Sequence, residues 1–162
     1  MRDITDRLTA DEEIRKLAYF DQLTGLPNRT LLLDRMKQAI AGSSRTNTFS
    51  ALLFIDLDHF KTLNDTLGHD TGDLQLKQAA ARLTACVRES DTLARVGGDE
   101  FAVILIGLGN DEIEAAADTE AVAAKILDAL CQPYLLGDLS HSSSASIGAT
   151  MFLGPNTSMD DL

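Results

Sequence analysis

Arg95-Val96-Gly97-Gly98-Asp99-Glu100-Phe101 lies between two short apolar runs, Asp91 to Val96 and Phe101 to Leu108. Two glycines ahead of two carboxylates in so short a connection predict a β-hairpin. Glycine there permits tight geometry and a close approach of backbone to a ligand. Upstream, Ser50-Ala-Leu-Leu-Phe-Ile-Asp56 is a third run, short, apolar on both faces and ended by charge, which is the pattern of a buried strand. If this strand and the hairpin are neighbours, Asp56 and Asp99 meet at one edge of a sheet.

The remaining elements follow outward. Met1 to Phe20 carries Ile4, Leu8, Ile14, Leu17 and Ala18 among charges, an amphipathic helix with a narrow apolar stripe. It is expected either to pair with a partner helix, as a connector from an upstream domain, or to rest on its own domain. Gly25 and Pro27 break it, and Asn28 can cap a second helix over about Arg29 to Ala41. After a polar loop from Gly42 to Thr48 and the first strand, a short helix, a turn at Gly68–Gly72 and a helix from Asp73 to about Arg88 are expected. Asp111 to about Leu130 reads as an Ala-rich helix with acidic residues at its favourable end. Ser142 to Phe152 reads as a last strand, and Ser158-Met-Asp-Asp-Leu162 as the opening turn of a further helix. The order predicts an α/β (α+β) domain whose mixed, mostly antiparallel central sheet is flanked by helices, palm-like and ferredoxin-related.

The chain has 162 residues, 44% hydrophobic and 24% charged, as suits one globular domain. Its net charge is −11 and its Lys and Arg are scattered. That pattern excludes the basic stripe of a nucleic-acid binder. A small phosphorylated ligand stays possible where a divalent cation supplies local positive charge. No apolar run approaches the ~20 residues of a membrane span, and no signal-peptide pattern is present. Cys86 and Cys131 sit in apolar helical contexts without CxxC spacing, as buried free thiols of a reducing compartment do. The expected location is cytoplasmic.

Asp56 and Asp58 are two apart, so both point to one side unless the strand ends between them. Hard oxygen ligands converging with few His or Cys nearby suit Mg²⁺ or Mn²⁺. Such a centre clamps phosphates and lowers the pKa of an attacking hydroxyl, with two ions ~4 Å apart in two-metal versions. Taken alone, an Asp-x-Asp at a strand end is more often a solvated loop than a metal site, and Gly-Gly-Asp-Glu is more often just a hairpin turn. The polar series between them shifts the balance: Lys61 can neutralise phosphate, and Asn64 with Asp73 offers the donor and acceptor mix that reads a purine edge.

Asp21-x-Leu-Thr-Gly-Leu-x-Asn-Arg29, Phe54-Ile-Asp-Leu-Asp-His-Phe-Lys61, Asn64-Asp-x-x-Gly-His-x-x-Gly-Asp73 and Arg95-Val-Gly-Gly-Asp-Glu-Phe101 together resemble the signature set of the GGDEF family, over roughly Lys16 to Phe152. Ser146-Ile-Gly-Ala149 is similar to its late strand. The resemblance implies a bacterial diguanylate cyclase, which condenses two GTP into cyclic di-GMP and two pyrophosphates. It implies Asp56, Asp99 and the Leu57 carbonyl as ligands of Mg²⁺ or Mn²⁺, with Glu100 helping to hold a second ion. Asp99 is also the family's proposed acceptor of the 3′-hydroxyl proton. The amides of His59 and Phe60 would face phosphate oxygens and Lys61 would stabilise phosphate charge. Asn64 and Asp73 would bind guanine, with His69 lining the pocket.

By the same resemblance each protomer holds one GTP, so two must meet face to face, at least transiently, and residues 1–20 would be a signalling helix below an upstream sensory domain. Arg88-Glu-Ser-Asp91, five residues ahead of Gly97-Gly98, matches the family's RxxD product-inhibition site. On the residues alone it is a helix-terminal Arg followed by a strand-opening Asp. The family's pattern continues with a further helix and a basic segment, so residues 21–162 are expected to be a GGDEF domain lacking its last helix and strand. A non-catalytic module that binds GTP or cyclic di-GMP is the alternative function. Neither nucleic acid nor membrane contact is expected of this segment.

Overall fold

The computed structural model describes residues 2–154; the helical turn expected at Ser158–Leu162 lies outside the described residues. Four strands form one antiparallel sheet: β1 (Ser50–Leu57), β2 (Thr92–Arg95), β3 (Glu100–Leu105) and β6 (Ala145–Phe152). Their order is β2-β3-β1-β6, and each neighbouring pair is antiparallel. Around them run α1 (Arg2–Tyr19), α2 (Arg29–Thr46), α3 (Phe60–Leu67), α4 (His69–Cys86) and α5 (Glu112–Cys131). A small separate hairpin, β4 (Tyr134–Leu136) with β5 (Leu139–His141), joins α5 to β6. Without that insertion, and with α3 and α4 taken as one helical crossover, the order from β1 to β6 is the β-α-β-β-α-β of a ferredoxin-like unit.

The two faces of β1 explain the layering. Ala51, Leu53, Ile55 and Leu57 alternate onto one face, where Phe101, Val103 and Leu105 join them under Leu76, Ala79 and Leu83 of α4 and Ile126 and Leu130 of α5. Each such side chain contributes roughly 1.5–3 kcal/mol by leaving water. Leu52, Ala102 and Ile104 face the other way onto Leu32, Met36 and Ala39 of α2. That helix does not reach the whole face: Phe54 is 46% exposed. The expectation of a strand buried on both sides therefore fails at its carboxylate end.

Local chemistry sets the other departures. The Asn28 side chain accepts from the Leu31 N–H and caps α2 as expected. The helix then runs five residues past Ala41, because Ser43 is buried and its hydroxyl donates to the Thr48 carbonyl. Asn47, at φ 55°, supplies the left-handed stop. The expected turn at Gly68–Gly72 shrinks to Gly68 alone, at φ 92°, and Gly72 lies buried in the first turn of α4. That helix closes at Cys86 and β3 at Leu105, each short of its expected end. The β4–β5 hairpin was not expected, although Gly137, at φ 69°, and Asp138 mark its turn.

Candidate active site

Register decides what meets at the sheet edge. Asp56 stands opposite Glu100 in the β1–β3 ladder, and the Leu57 N–H donates to the Asp99 carbonyl at 3.1 Å. The turn closes through the Val96 N–H, which donates to the Glu100 carbonyl at 2.9 Å. Burial pushes the Asp56 carboxyl above its ordinary value, and the charge and hydrogen bond of Asp99, then Glu100 and Asp58, add to this. The Glu100 carboxylate folds back over Gly97, where an added Cβ would sit 3.0 Å from its oxygen. Gly97 thus makes room for the acidic side chain beside it.

Asp58 takes a different course because β1 ends at Leu57, between the two aspartates. Its carboxylate accepts from the Ser144 and Ser146 hydroxyls, both at 2.7 Å. Those two bonds hold it below the usual carboxylate range. His59 follows at φ 59° and opens α3 without a side-chain cap. The first N–H groups of α3 consequently lack intrahelical partners.

Phe60 is buried and anchors α3, and Lys61 is exposed. Asn64 turns its Oδ1 against Gly72, so closely that a Cβ at Gly72 would overlap it. That oxygen is buried and has no hydrogen-bond partner among the described residues. His69 and Asp73 lie one turn apart at the start of α4, His69 exposed and Asp73 half-buried. The α3–α4 corner therefore brings Asn64 to the helical turn that carries His69 and Asp73.

Arg88 and Asp91 lie at the other end of β2 from the carboxylate hairpin. Arg88 Nη2 approaches Asp91 Oδ1 at 3.3 Å and donates to the Ile106 carbonyl at 2.7 Å, while the Arg88 N–H donates to Asp91 Oδ2 at 3.0 Å. The Asp91 side chain is 2% exposed and that of Arg88 is 60%. Asp91 is fixed, and the guanidinium still faces outward.

Sequence reasoning assigned no role to the tie that braces the hairpin. Arg95 Nη1 contacts both Asp21 oxygens, at 3.0 and 3.1 Å, and Nε and Nη2 donate to the Gly98 carbonyl at 3.2 and 2.9 Å. Asp21 also accepts from the Thr24 N–H and hydroxyl, at 2.8 and 2.7 Å. Burial raises the Asp21 carboxyl, but the Thr24 and Arg95 interactions outweigh it and leave it below its ordinary value. The signal was legible as opposite charges in two signature stretches.

No cluster of three or more His, Cys, Asp or Glu arranged for a metal occurs among the described residues. The donor set at the sheet edge is smaller: the crowded carboxylates Asp56 and Asp99, with the Leu57 carbonyl beside them. Like-charge crowding that raises Asp56 is the condition a cation relieves, and a partial oxygen set that leaves room for phosphate oxygens and water suits Mg²⁺. The residues fit a metal on those grounds. A cleft of about 400 Å³ touches this edge, between Phe54, Asp56, Glu100 and Gly148. A larger one of about 540 Å³ lies away from the carboxylates, between α2 and the β2–β3 side. The carboxylate site is open at the end of the central strands and so encloses little space.

An antiparallel sheet flanked by helices, with carboxylates on a central strand and its adjoining hairpin, defines the palm-like cyclase fold. The chain belongs to the GGDEF family: the family model described as diguanylate cyclase, GGDEF domain, matches residues 18–162. It is 41% identical over 158 residues to the bifunctional diguanylate cyclase/cyclic di-GMP phosphodiesterase MucR of Pseudomonas aeruginosa, covering 98% of this chain and 22% of that one. The GGDEF-only structure of TpbB from the same species superposes with a TM-score of 0.77 at 39% identity, covering 83% of this chain and 76% of the other. The coiled coil and GGDEF domain of DgcB from Caulobacter crescentus, in complex with c-di-GMP, gives a TM-score of 0.79 at 26% identity, covering 93% and 78%. The chain spans less than a third of the length of the curated relatives it matches first. No helix of the described residues is long and apolar enough to cross a membrane.

Proposed function

We propose that this domain, residues 21–162, is a diguanylate cyclase domain that joins two GTP into cyclic di-GMP with release of two pyrophosphates, and that residues 1–20 are its signalling helix. The observation that carries the reading is the β1–β3 register, which sets Asp56 against the Gly97–Phe101 hairpin at an open sheet edge. Asp56, Asp99 and the Leu57 carbonyl would hold Mg²⁺ or Mn²⁺, with Glu100 toward a second ion. When bound, the cations offset phosphate charge and make the attacking 3′-hydroxyl more acidic.

The chain's own groups do the rest. The N–H groups at His59 and Phe60 orient phosphate oxygens, and Lys61 neutralises their charge. Asn64 would read guanine through its side-chain amide. Asp73 accepting from the guanine N1 and N2 donors excludes adenine, and His69 borders the same pocket. Asp99 would accept the 3′-hydroxyl proton.

A symmetric product from two GTP calls for two domains facing each other. The stripe on α1 suits that assembly: Leu8, Ile14 and Leu17 are each more than 60% exposed. At the far end of β2, Arg88 and Asp91 would bind cyclic di-GMP as product inhibitor. The nucleotide assignment is tested by supplying the intact protein with GTP or ATP and Mg²⁺. Cyclic di-GMP from GTP, and no cyclic dinucleotide from ATP, is the expected outcome. Saturable cyclic di-GMP binding without turnover, lost in Arg88→Ala, would favour the regulatory-module reading instead.

A further inference from the structure

We infer that Asp58 is a positioning residue for the phosphate end of the nucleotide site, acting through a latch to Ser144 and Ser146. The residue is held at four points. Its carboxylate accepts from the Ser144 and Ser146 hydroxyls, each at 2.7 Å. Its N–H donates to the Ser144 carbonyl at 3.0 Å, and its carbonyl accepts from the Ser143 hydroxyl at 3.2 Å. A residue leaving a strand edge rarely needs so many ties, and the reason lies one position on. His59 has φ 59°, a left-handed conformation that is unfavourable for a non-glycine residue. Such a residue persists only where its neighbours over-determine it.

On the other side of His59, Phe60 sinks into the core at 8% exposure. The turn is thus clamped by hydrogen bonds before it and by apolar burial after it. From the second clamp onward stand the first N–H groups of α3, which have no intrahelical partner. Their direction, and so the phosphate position, is set by the Asp58 latch on β6. The same geometry separates the two aspartates: Asp56, in β1, interacts with Asp99, while both oxygens of Asp58, just past the strand, are engaged by the Ser144 and Ser146 hydroxyls. The pairing also gives a reason for Ser146 to stand in the late strand, opposite Asp56 in the ladder.

The inference rests on the reading of the site as a GTP site, and its test separates the two. In the intact protein, affinity for a non-hydrolysable GTP analogue is measured beside the thermal stabilisation produced by Mn²⁺ alone. Asp58→Ala and the double variant Ser144→Ala/Ser146→Ala are expected to bind the analogue about tenfold more weakly, a loss near 1.4 kcal/mol. Both should keep the Mn²⁺ response. Asp58→Asn, which can still accept from a serine, should stay within about twofold of wild type. Circular dichroism checks folding, and the double serine variant carries the test if Asp58→Ala does not fold. Unchanged analogue affinity in the double serine variant overturns the latch. Loss of the Mn²⁺ response in Asp58→Ala, with the response kept in the serine variant, overturns it in favour of Asp58 as a ligand. A wild-type protein that binds no GTP analogue removes the nucleotide reading and the inference together.

Discussion

At the scale of single residues, the site is a set of groups held short of satisfaction. Asp56 is crowded by Asp99 and Glu100, and its carboxyl is raised in the folded chain. Its contribution to stability is therefore present below the unfolded pKa and is lost as pH rises through the folded value. Without a divalent cation, Asp56→Asn should raise the melting temperature at neutral pH and remove the stabilisation given by Mn²⁺; calorimetry with and without metal checks both. Asn64 and Gly72 give a second expectation. Gly72→Ala would make its Cβ overlap the Asn64 Oδ1, so the Asn64 side chain must turn away, while alanine favours the helix over glycine by about 0.5–1 kcal/mol. GTP-analogue binding should fall, and denaturant titration should show stability little changed. The types of these residues were legible in the sequence; the contact between Asn64 and Gly72 was not. It depends on a helix beginning at His69, and Gly68 with Gly72 read locally as a turn.

At the scale of elements, the hairpin and the ends of helices show where tertiary ties override local signals. Asp21 holds Arg95, and Arg95 holds the Gly98 carbonyl, so the loop after α1 braces the Gly97–Phe101 turn. Asp21 has a lowered carboxyl pKa. Its stabilisation is present above the unfolded value of 3.8 and is lost as pH falls through the folded one. Asp21→Asn should accordingly weaken the fold at neutral pH and flatten the acid limb of its stability profile, as read by acid unfolding. Arg82 offers a parallel case away from the site. It donates to the carbonyls of Ala129, Gln132 and Pro133 at the end of α5 and lies 4.0 Å from the Tyr134 ring centroid. Arg82→Ala should cost roughly 2–3 kcal/mol in chemical denaturation, and Lys should not restore it, having no planar fork. Periodicity, turn signals and charge placement revealed β1, the β2–β3 hairpin and α5, whose Asp111 was read as a favourable first-turn charge and is the helix cap. They missed the last turn of α2, which Ser43 stabilises through Thr48, and the β4–β5 hairpin, whose strands are three residues each.

At the scale of the whole molecule, the order β2-β3-β1-β6 puts the carboxylates of a central strand and a hairpin at one end of the sheet. Arg88 and Asp91 lie toward the other end, beside Ile106. The proposed substrate and product sites would thereby be separated along the same strands. The α1 stripe of Leu8, Ile14 and Leu17 remains exposed, and the two-fold reading gives it a partner helix. Leu17→Glu should leave the melting temperature of a single domain nearly unchanged and weaken concentration-dependent association in sedimentation. The central claim is that Asp56 and the Gly97–Phe101 hairpin form a metal-dependent centre for joining two GTP. It is tested most directly by the rate of cyclic di-GMP formation from GTP and Mg²⁺ in the intact protein and its Asp99→Ala variant. Robust product from wild type and a fall of at least about a hundredfold in the variant is the expected result; product formed at the wild-type rate by Asp99→Ala would contradict the account.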